Sequence, residues 1–479
     1  MPIRALATDL RVLPMQTRMP FRYGIATLTA LPHLFMRVEV EVDGQRVWGL
    51  ASEGLAPKWF TKDPATSVDD DIAGMLEVIE AACRHVCACG PAATVFDLWW
   101  ALYHAQQAWA AARGHPPLLA GLGASLVERA LIDAFCRARQ TTFAAAIRDG
   151  SLGVQLAMLH PALAGRSPAE LLPRQPLTRI VVRHTVGLSD PLTDADIAPE
   201  DRLDDGLPQS LAACIERYGL THFKIKLCGD AMRDHERLRR IAQLLDRLVP
   251  AYAWTLDGNE QFQQVAQFQA LWEQICADPQ LATLRSRLLF VEQPFPRARA
   301  LCDQTGAALL AWPARPPIII DESDDQIDSL PLALQRGYAG TSHKNCKGVF
   351  KGVANACLAA ARSAAGQPVV LSGEDLCNVG PIALLQDLAV MASLGVRHVE
   401  RNGHHYFRGL SMYAEDLQAA IVQAHPDLYR WHARGFAHLA IDAGTIALDS
   451  VVRAPFGYGL PFETARYRTL ADYRVASPF

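Results

Sequence analysis

Eight short apolar runs, each ending in polar residues and most leading into a helical pattern, fill residues 180–400 and constrain this chain more than any other feature. They read RIVVRHTVG, THFKIKLCG, YAWTLDGNE, LLFVEQPFP, PIIIDESDD, GTSHKNCKG, PVVLSGEDL and VRHVERNG. Runs of this length separated by amphipathic helices are the signature of parallel strands buried on both faces. In one of the helices, ERLRRIAQLLDRLV, Leu238, Ile241, Leu244, Leu245 and Leu248 share a face. Eight strand–helix alternations predict an α/β protein, and eight is the number that closes a (β/α)8 TIM barrel.

The first 175 residues have a different character. In HLFMRVEVEVDGQRVWGLASEG, Phe35, Arg37, Glu39 and Glu41 alternate with Met36, Val38, Val40 and Val42, and Gly44 marks a turn, so a β-hairpin is expected. Three helical patterns follow, at 67–86, 95–113 and 123–139. In the third, Gly121 and Gly123 fall short of a dinucleotide fingerprint and predict a helix start capped near Ser125. The proline-bearing stretch 160–179 reads as a connector. With 46 basic and 50 acidic side chains the near-balanced charge argues against a nucleic-acid partner. No stretch approaches the ~18 apolar residues of a membrane span, and the segment around Arg4, Asp9 and Arg11 has no apolar signal core, so a cytoplasmic protein is expected. Eleven scattered cysteines fit reduced thiols. Cys83 and Cys87 share a helix face near His85, but no second pair completes a zinc site. Adjacent residues rarely chelate one ion together, so His404 and His405 are expected in a loop or at a strand end.

The chemistry concentrates at the strand ends. Lys226, Asp257, Glu292, Asp321 and Lys344 follow one another at separations of 31, 35, 29 and 23 residues, about one βα unit each. The C-terminal ends of barrel strands converge on one mouth, where such folds carry their active sites. Three carboxylates meeting there repel, and a hard divalent cation resolves the repulsion; an all-oxygen set with open positions suits Mg²⁺. In FKIKL the alternation puts Lys224 and Lys226 on the same strand face. Two ammonium groups ~6 Å apart at an effective dielectric of ~20 repel by about 2.8 kcal/mol, or about two pK units. Desolvation acts in the same direction, so one of the pair is expected to be neutral near pH 7 and able to act as a general base. Lys344 approaches from the other side of the mouth.

The set FKIKL, TLDGNE, FVEQPF, IIDES and the lysine of SHKNCKG resembles the enolase superfamily in its muconate-lactonizing and mandelate-racemase branch. The resemblance implies a modified TIM barrel with an α+β capping domain, one Mg²⁺ per site, and removal of the proton α to a substrate carboxylate through an enediolate. A lysine base combined with Mg²⁺ is a known pattern of that superfamily. Carried across, Asp257, Glu292 and Asp321 match the metal ligands. Lys226 matches the base, Lys224 its pKa-lowering neighbour, and Lys344 the sixth-strand lysine. Asn259 and Glu322 match polar residues beside the first and third ligands. MPFRYGIATL and VEVDGQRVWGLASEG resemble the cap's opening strands and its substrate-covering loop, and LAIDAGTIALDSVVRAPFGYGL the return to the cap. The expected division is a cap over 1–175, completed by 425–479, and a barrel over 176–424.

The chain also departs from the pattern. The sixth-strand motif is polar, and Lys347 competes with Lys344, which lies nearer the strand end. The cap is long around 55–115. Glu374, Asp375, Glu400, His404 and His405 face the substrate or hold the last loops. The resemblance implies a dehydratase-type lyase or a racemase/epimerase of a small carboxylic acid, and a homo-oligomer. A barrel lyase using a lysine Schiff base, or a non-catalytic homologue of the family, are the rival readings.

Overall fold

The computed structural model describes residues 2–476. β1 (Ile3–Tyr23), β2 (Ala26–Val42) and β3 (Gln45–Gly54) form an antiparallel meander, and α1 (Val68–Ala88), α2 (Val95–Ala112) and α3 (Pro117–Ala138) follow it. The β2–β3 hairpin turns on Asp43 and Gly44, at φ 52° and 80°. Positive φ at both central residues matches the right-handed twist of the flanking strands. From Arg37 to Val42 the expected alternation holds, with the valines buried and the charged residues half-buried. Phe35 departs from it and is fully buried, because the C-terminal segment covers its face with Phe462 and Tyr467, whose rings lie 5.0 and 4.8 Å away.

The third cap helix begins earlier than expected. It starts at Pro117, and Ser125 lies inside it with its hydroxyl donating to the Leu122 carbonyl. The two glycines are therefore helix-interior residues and no start signal. At Gly123 a Cβ would stand 2.3 Å from the Val78 carbonyl oxygen, so its bare backbone lets α1 and α3 cross closely. On the other side α3 packs on β3, where the Leu50 amide donates to Asp133.

All eight expected barrel strands are present: β4 (Arg179–Val186), β5 (His222–Lys226), β6 (Ala253–Asp257), β7 (Leu288–Glu292), β8 (Ile318–Ile320), β9 (Gly340–His343), β10 (Val370–Gly373) and β11 (His398–Arg401). They pair in parallel in sequence order, and β11 returns to β4 with His398 opposite Val181 and Arg401 opposite His184. The architecture is a closed (β/α)8 barrel with a capping α+β layer. A hairpin of β12 (Tyr429–His432) and β13 (Phe436–Leu439) follows the barrel. The tail then divides between the two layers. β14 (Thr445–Ala447) pairs antiparallel with the start of β4, while β15 (Arg468–Thr469) joins the edge of β1. Part of the 425–479 segment thus pairs with the barrel sheet, and part with the cap.

Buried polar contacts hold the cap together and tie it to the barrel. Arg129 and Glu53, both in the cap, pair at 2.9 Å with almost no exposure. Glu128 of α3 accepts the first two amides of the barrel helix Val349–Ala364, from Val349 at 2.8 Å and Phe350 at 2.7 Å. That helix starts a few residues after Lys344, so a cap side chain anchors the loop that presents it. All eleven cysteines are free, and no helix among the described residues is long and apolar enough to cross a membrane.

Candidate active site

Strand register sets the site. Lys226 stands opposite Asp257, Asp257 opposite Glu292, and Glu292 opposite Ile319, two residues before Asp321. All six charged residues expected at the mouth are buried and lie together. Lys226 Nζ donates to Asp257 Oδ2 at 2.6 Å, and Lys344 Nζ donates to Asp321 Oδ2 at 2.6 Å while lying 3.8 Å from Glu292 Oε1. The row of carboxylates on β6, β7 and the end of β8 is therefore bracketed by one lysine from β5 and one from just after β9.

Lys224 does not behave as the repulsion argument expected. Its Nζ lies 2.7 Å from Glu292 and from Glu374, and 3.0 Å from Asp257 and from Glu400. Burial pulls its pKa down, but these four carboxylates outweigh burial and hold it well above the usual lysine range. Lys344 is likewise raised, against its burial, by Asp321 and Glu292. Glu374 and Glu400, which arrive from β10 and β11, supply the negative charge that a pair of lysines alone would lack. Charge pairing of a buried lysine at ~3 Å exceeds the repulsion of a second lysine farther off.

Those two glutamates hold the centre of the barrel. Glu374 pairs with Arg183, and Glu400 accepts from the Thr185 hydroxyl at 2.6 Å and from Lys224. Arg183 and Thr185 alternate along RIVVRHTV as Lys224 and Lys226 do along FKIKL, so the same signal marked β4 as a contributor, and sequence reading passed over it. Asp375 is pushed up to about 7 by burial, with Arg401 opposing. His404 and His405 fall on a short helix, Gly403–Tyr406, after β11, where Asn402 rather than either histidine borders the cavity.

Lys344 lines the cavity, with the Trp59 ring 5.1 Å from its Nζ. Lys347 turns away and is saturated by Asp321 O and Oδ1 and by Ser342 O and Oγ. Asn259 also lines the cavity, and its backbone N–H donates to Asp257 Oδ1 at 2.8 Å. Glu322 is buried beside Asp321, and burial together with Asp321 and Glu260 pushes it up to about 7.

These residues line a tight cavity between barrel and cap. The barrel supplies its charged floor. The cap supplies an apolar wall: Phe21, Tyr23 and Leu28 from the β1–β2 hairpin, and Ala56 and Trp59 from the loop after β3. Of the two stretches expected at the cover, 19–28 supplies Phe21, Tyr23 and Leu28 and 40–54 supplies none of the wall, while Ala56 and Trp59 lie just past the second.

The donor set was tested for a divalent cation. Both oxygens of Glu292 are buried and accept no hydrogen bond, although Lys224 approaches to 2.7 Å, and Asn259 Oδ1 is also buried without a partner. Burial, Asp257 and Glu374 push the Glu292 pKa well up, the state of a carboxylate short of positive charge. An all-oxygen group of three carboxylates on neighbouring strand ends, one of them undercompensated, fits a hard dication.

No protein-family model matches the sequence, and no curated protein matches it. Solved structures do match the fold over almost the whole chain. A muconate lactonizing enzyme from Pseudomonas fluorescens, complexed with muconolactone, aligns with a TM-score of 0.60 at 16% identity, covering 97% of this chain and 99% of that one. An enolase from Bradyrhizobium, complexed with magnesium and mandelic acid, aligns at 0.58 and 13% identity, covering 98% and 99%. A mandelate racemase/muconate lactonizing protein from Herpetosiphon aurantiacus aligns at 0.57 and 18% identity, covering 96% and 100%. The chain thus has the capped-barrel fold of the mandelate racemase and muconate lactonizing proteins of the enolase superfamily.

Proposed function

We propose that this protein is a divalent-metal-dependent enzyme that removes the proton α to the carboxylate of a small acid. The observation that carries the reading is the carboxylate row Asp257, Glu292 and Asp321, flanked by Lys226 and Lys344 at the floor of a cavity walled by the cap. Asp257, Glu292 and Asp321 would hold the metal, for which Mg²⁺ is the ion of choice. When bound, it neutralises the negative charge that the substrate carboxylate gains as the α-proton leaves.

Lys226 and Lys344 reach the cavity from opposite flanks of the row, so a substrate carbon held over it meets one amine on each side. Lys226 is the base in this reading. Lys344, kept as an ammonium by Asp321, holds the anionic intermediate or returns a proton to it. Return from the opposite face gives racemisation or epimerisation, and loss of a β-substituent gives elimination; both share the first step. Lys224 positions Glu292 and Asp257 and stays charged. Lys344, held as an ammonium by Asp321, is a poor amine nucleophile, which disfavours it as a Schiff-base residue. The wall of Phe21, Tyr23, Leu28 and Trp59 favours acids with an apolar substituent over polyhydroxylated ones.

The test is a screen of small carboxylic acids in D₂O with Mg²⁺ and with EDTA, read by NMR as exchange of the α-proton. Exchange should require the metal, and Lys226→Ala and Lys344→Ala should each abolish it from one face. Undiminished exchange in both variants would remove this mechanism, and metal-independent activity with borohydride trapping would replace it with Schiff-base chemistry.

A further inference from the structure

Outside the mouth, the densest group of metal-binding side chains is the layer between barrel and outer helices at the β11–β4 closure. Arg183 and Thr185 of β4 point into the barrel, so His184 between them points out. There it meets Cys214, from the helix Leu211–Tyr218, and His405, from Gly403–Tyr406. One ligand atom from each of the three lies within 4.8 Å of those of the others, and all three residues are buried. Cys214 Sγ is 3.5 Å from His405 Nδ1, close to the spacing of two ligands around one tetrahedral ion.

Two further observations point to a ligand. His404 Nε2 lies 3.2 Å from His184 Nδ1, and the remaining ring nitrogen of His404 is buried without any hydrogen-bond partner. Leaving a polar nitrogen unpaired in the interior costs about 1–3 kcal/mol. In addition, the Asp190 carboxylate lies 3.9 Å from His405 Nε2, the ring nitrogen opposite the one that faces Cys214. Asp190 is itself fixed by the Gly187 amide at 2.7 Å and the Tyr406 hydroxyl at 2.6 Å. At 3.9 Å it is too far for a hydrogen bond, but its charge favours the tautomer that keeps the proton on Nε2 and leaves Nδ1 free beside Cys214.

We infer that His184, Cys214 and His405 form a structural site for a borderline-soft cation, Zn²⁺ by preference, distinct from the oxygen-only group at the mouth. Imidazole and thiolate donors select zinc or cobalt over magnesium, while the carboxylate row selects the reverse. The site would pin the β11–β4 seam, where the barrel closes, to the first outer helix.

The experiment uses the full chain. Protein purified without added chelator, or reconstituted with Zn²⁺ and desalted, should hold about one zinc per chain by elemental analysis. Cys214→Ser and His405→Gln should lower that content by roughly tenfold or more. Co²⁺ added to the zinc-free protein should give a thiolate-to-cobalt charge-transfer band that Cys214→Ser removes. Glu292→Gln, which alters only the mouth, should leave the band intact. Wild-type protein that retains no zinc after reconstitution and shows no thiolate–cobalt band overturns the inference, whatever the variants do. So does a band that survives in Cys214→Ser.

Discussion

Glu128 offers a sharp test of how the cap holds the barrel. Its carboxylate is fully buried and accepts the amides of Val349 and Phe350, the first two of a barrel helix that begins just past Lys344. Burial raises its pKa from the ordinary 4.5 to about 7, with the two amides and Arg129 and Lys351 opposing. The folded state therefore binds the proton more tightly than the unfolded chain. Between pH 4.5 and 7 folded molecules hold more protons than unfolded ones, so this group's contribution to stability falls as pH rises through that window. A shift of about 2.5 units at about 1.36 kcal/mol per unit gives about 3 kcal/mol across it. Glu128→Gln keeps an acceptor for one of the two amides, leaves the other unpaired at a cost independent of pH, and removes the titration. The stability difference between wild type and Glu128→Gln should therefore move by about 2 kcal/mol or more in the variant's favour between pH 5 and pH 8. Taking the difference cancels every carboxylate common to both proteins. Chemical denaturation at the two pH values measures it. Glu128→Ala is the companion: two orphaned buried amides cost about 2–6 kcal/mol at either pH. A wild-type-minus-Gln difference that is flat with pH, alongside a harmless Glu128→Ala, would refute the reasoning.

Three further substitutions probe the cap by equilibrium unfolding. Gly121→Ala should stabilise by about 0.5–1 kcal/mol, because a Cβ there meets nothing within 4 Å and alanine favours the helix. Gly123→Ala should destabilise by about 1–3 kcal/mol, since the same atom would stand 2.3 Å from the Val78 carbonyl oxygen; equal effects at both positions would contradict the close crossing of α1 and α3. Arg129→Met, which strands buried Glu53 without its 2.9 Å partner, should cost about 3–5 kcal/mol, and adding Glu53→Gln should recover part of it.

Much of the barrel was legible because its signals are local. Each strand is a run of a few apolar residues, and each candidate side chain sits at or just past a strand end, so counting residues from Lys226 to Lys344 brings five charged groups to one mouth. Strand periodicity of two, applied to FKIKL, put Lys224 and Lys226 on one face, and they share Asp257 Oδ2 as a partner. The same rule applied to RIVVRHTV would have named Arg183. Helix starts were less legible: Gly123 looked like punctuation, and only the neighbouring helix shows why it lies inside a helix.

Sequence alone therefore determined which strands form, in what order, and which carboxylates and lysines stand at their ends, because these follow from residue periods and spacings within one βα unit. Tertiary structure decided what those groups experience. Closure of β11 on β4 brings Glu374 and Glu400 to Lys224 across 150 and 176 residues, and it converts an expected repelled lysine into a charge-locked one. The same closure gathers His184, Cys214 and His405, and the returning tail seals Phe35 into the cap. Ionisation and metal affinity depend on the distances between charges at ~3 Å, and those distances exist only once the barrel has closed.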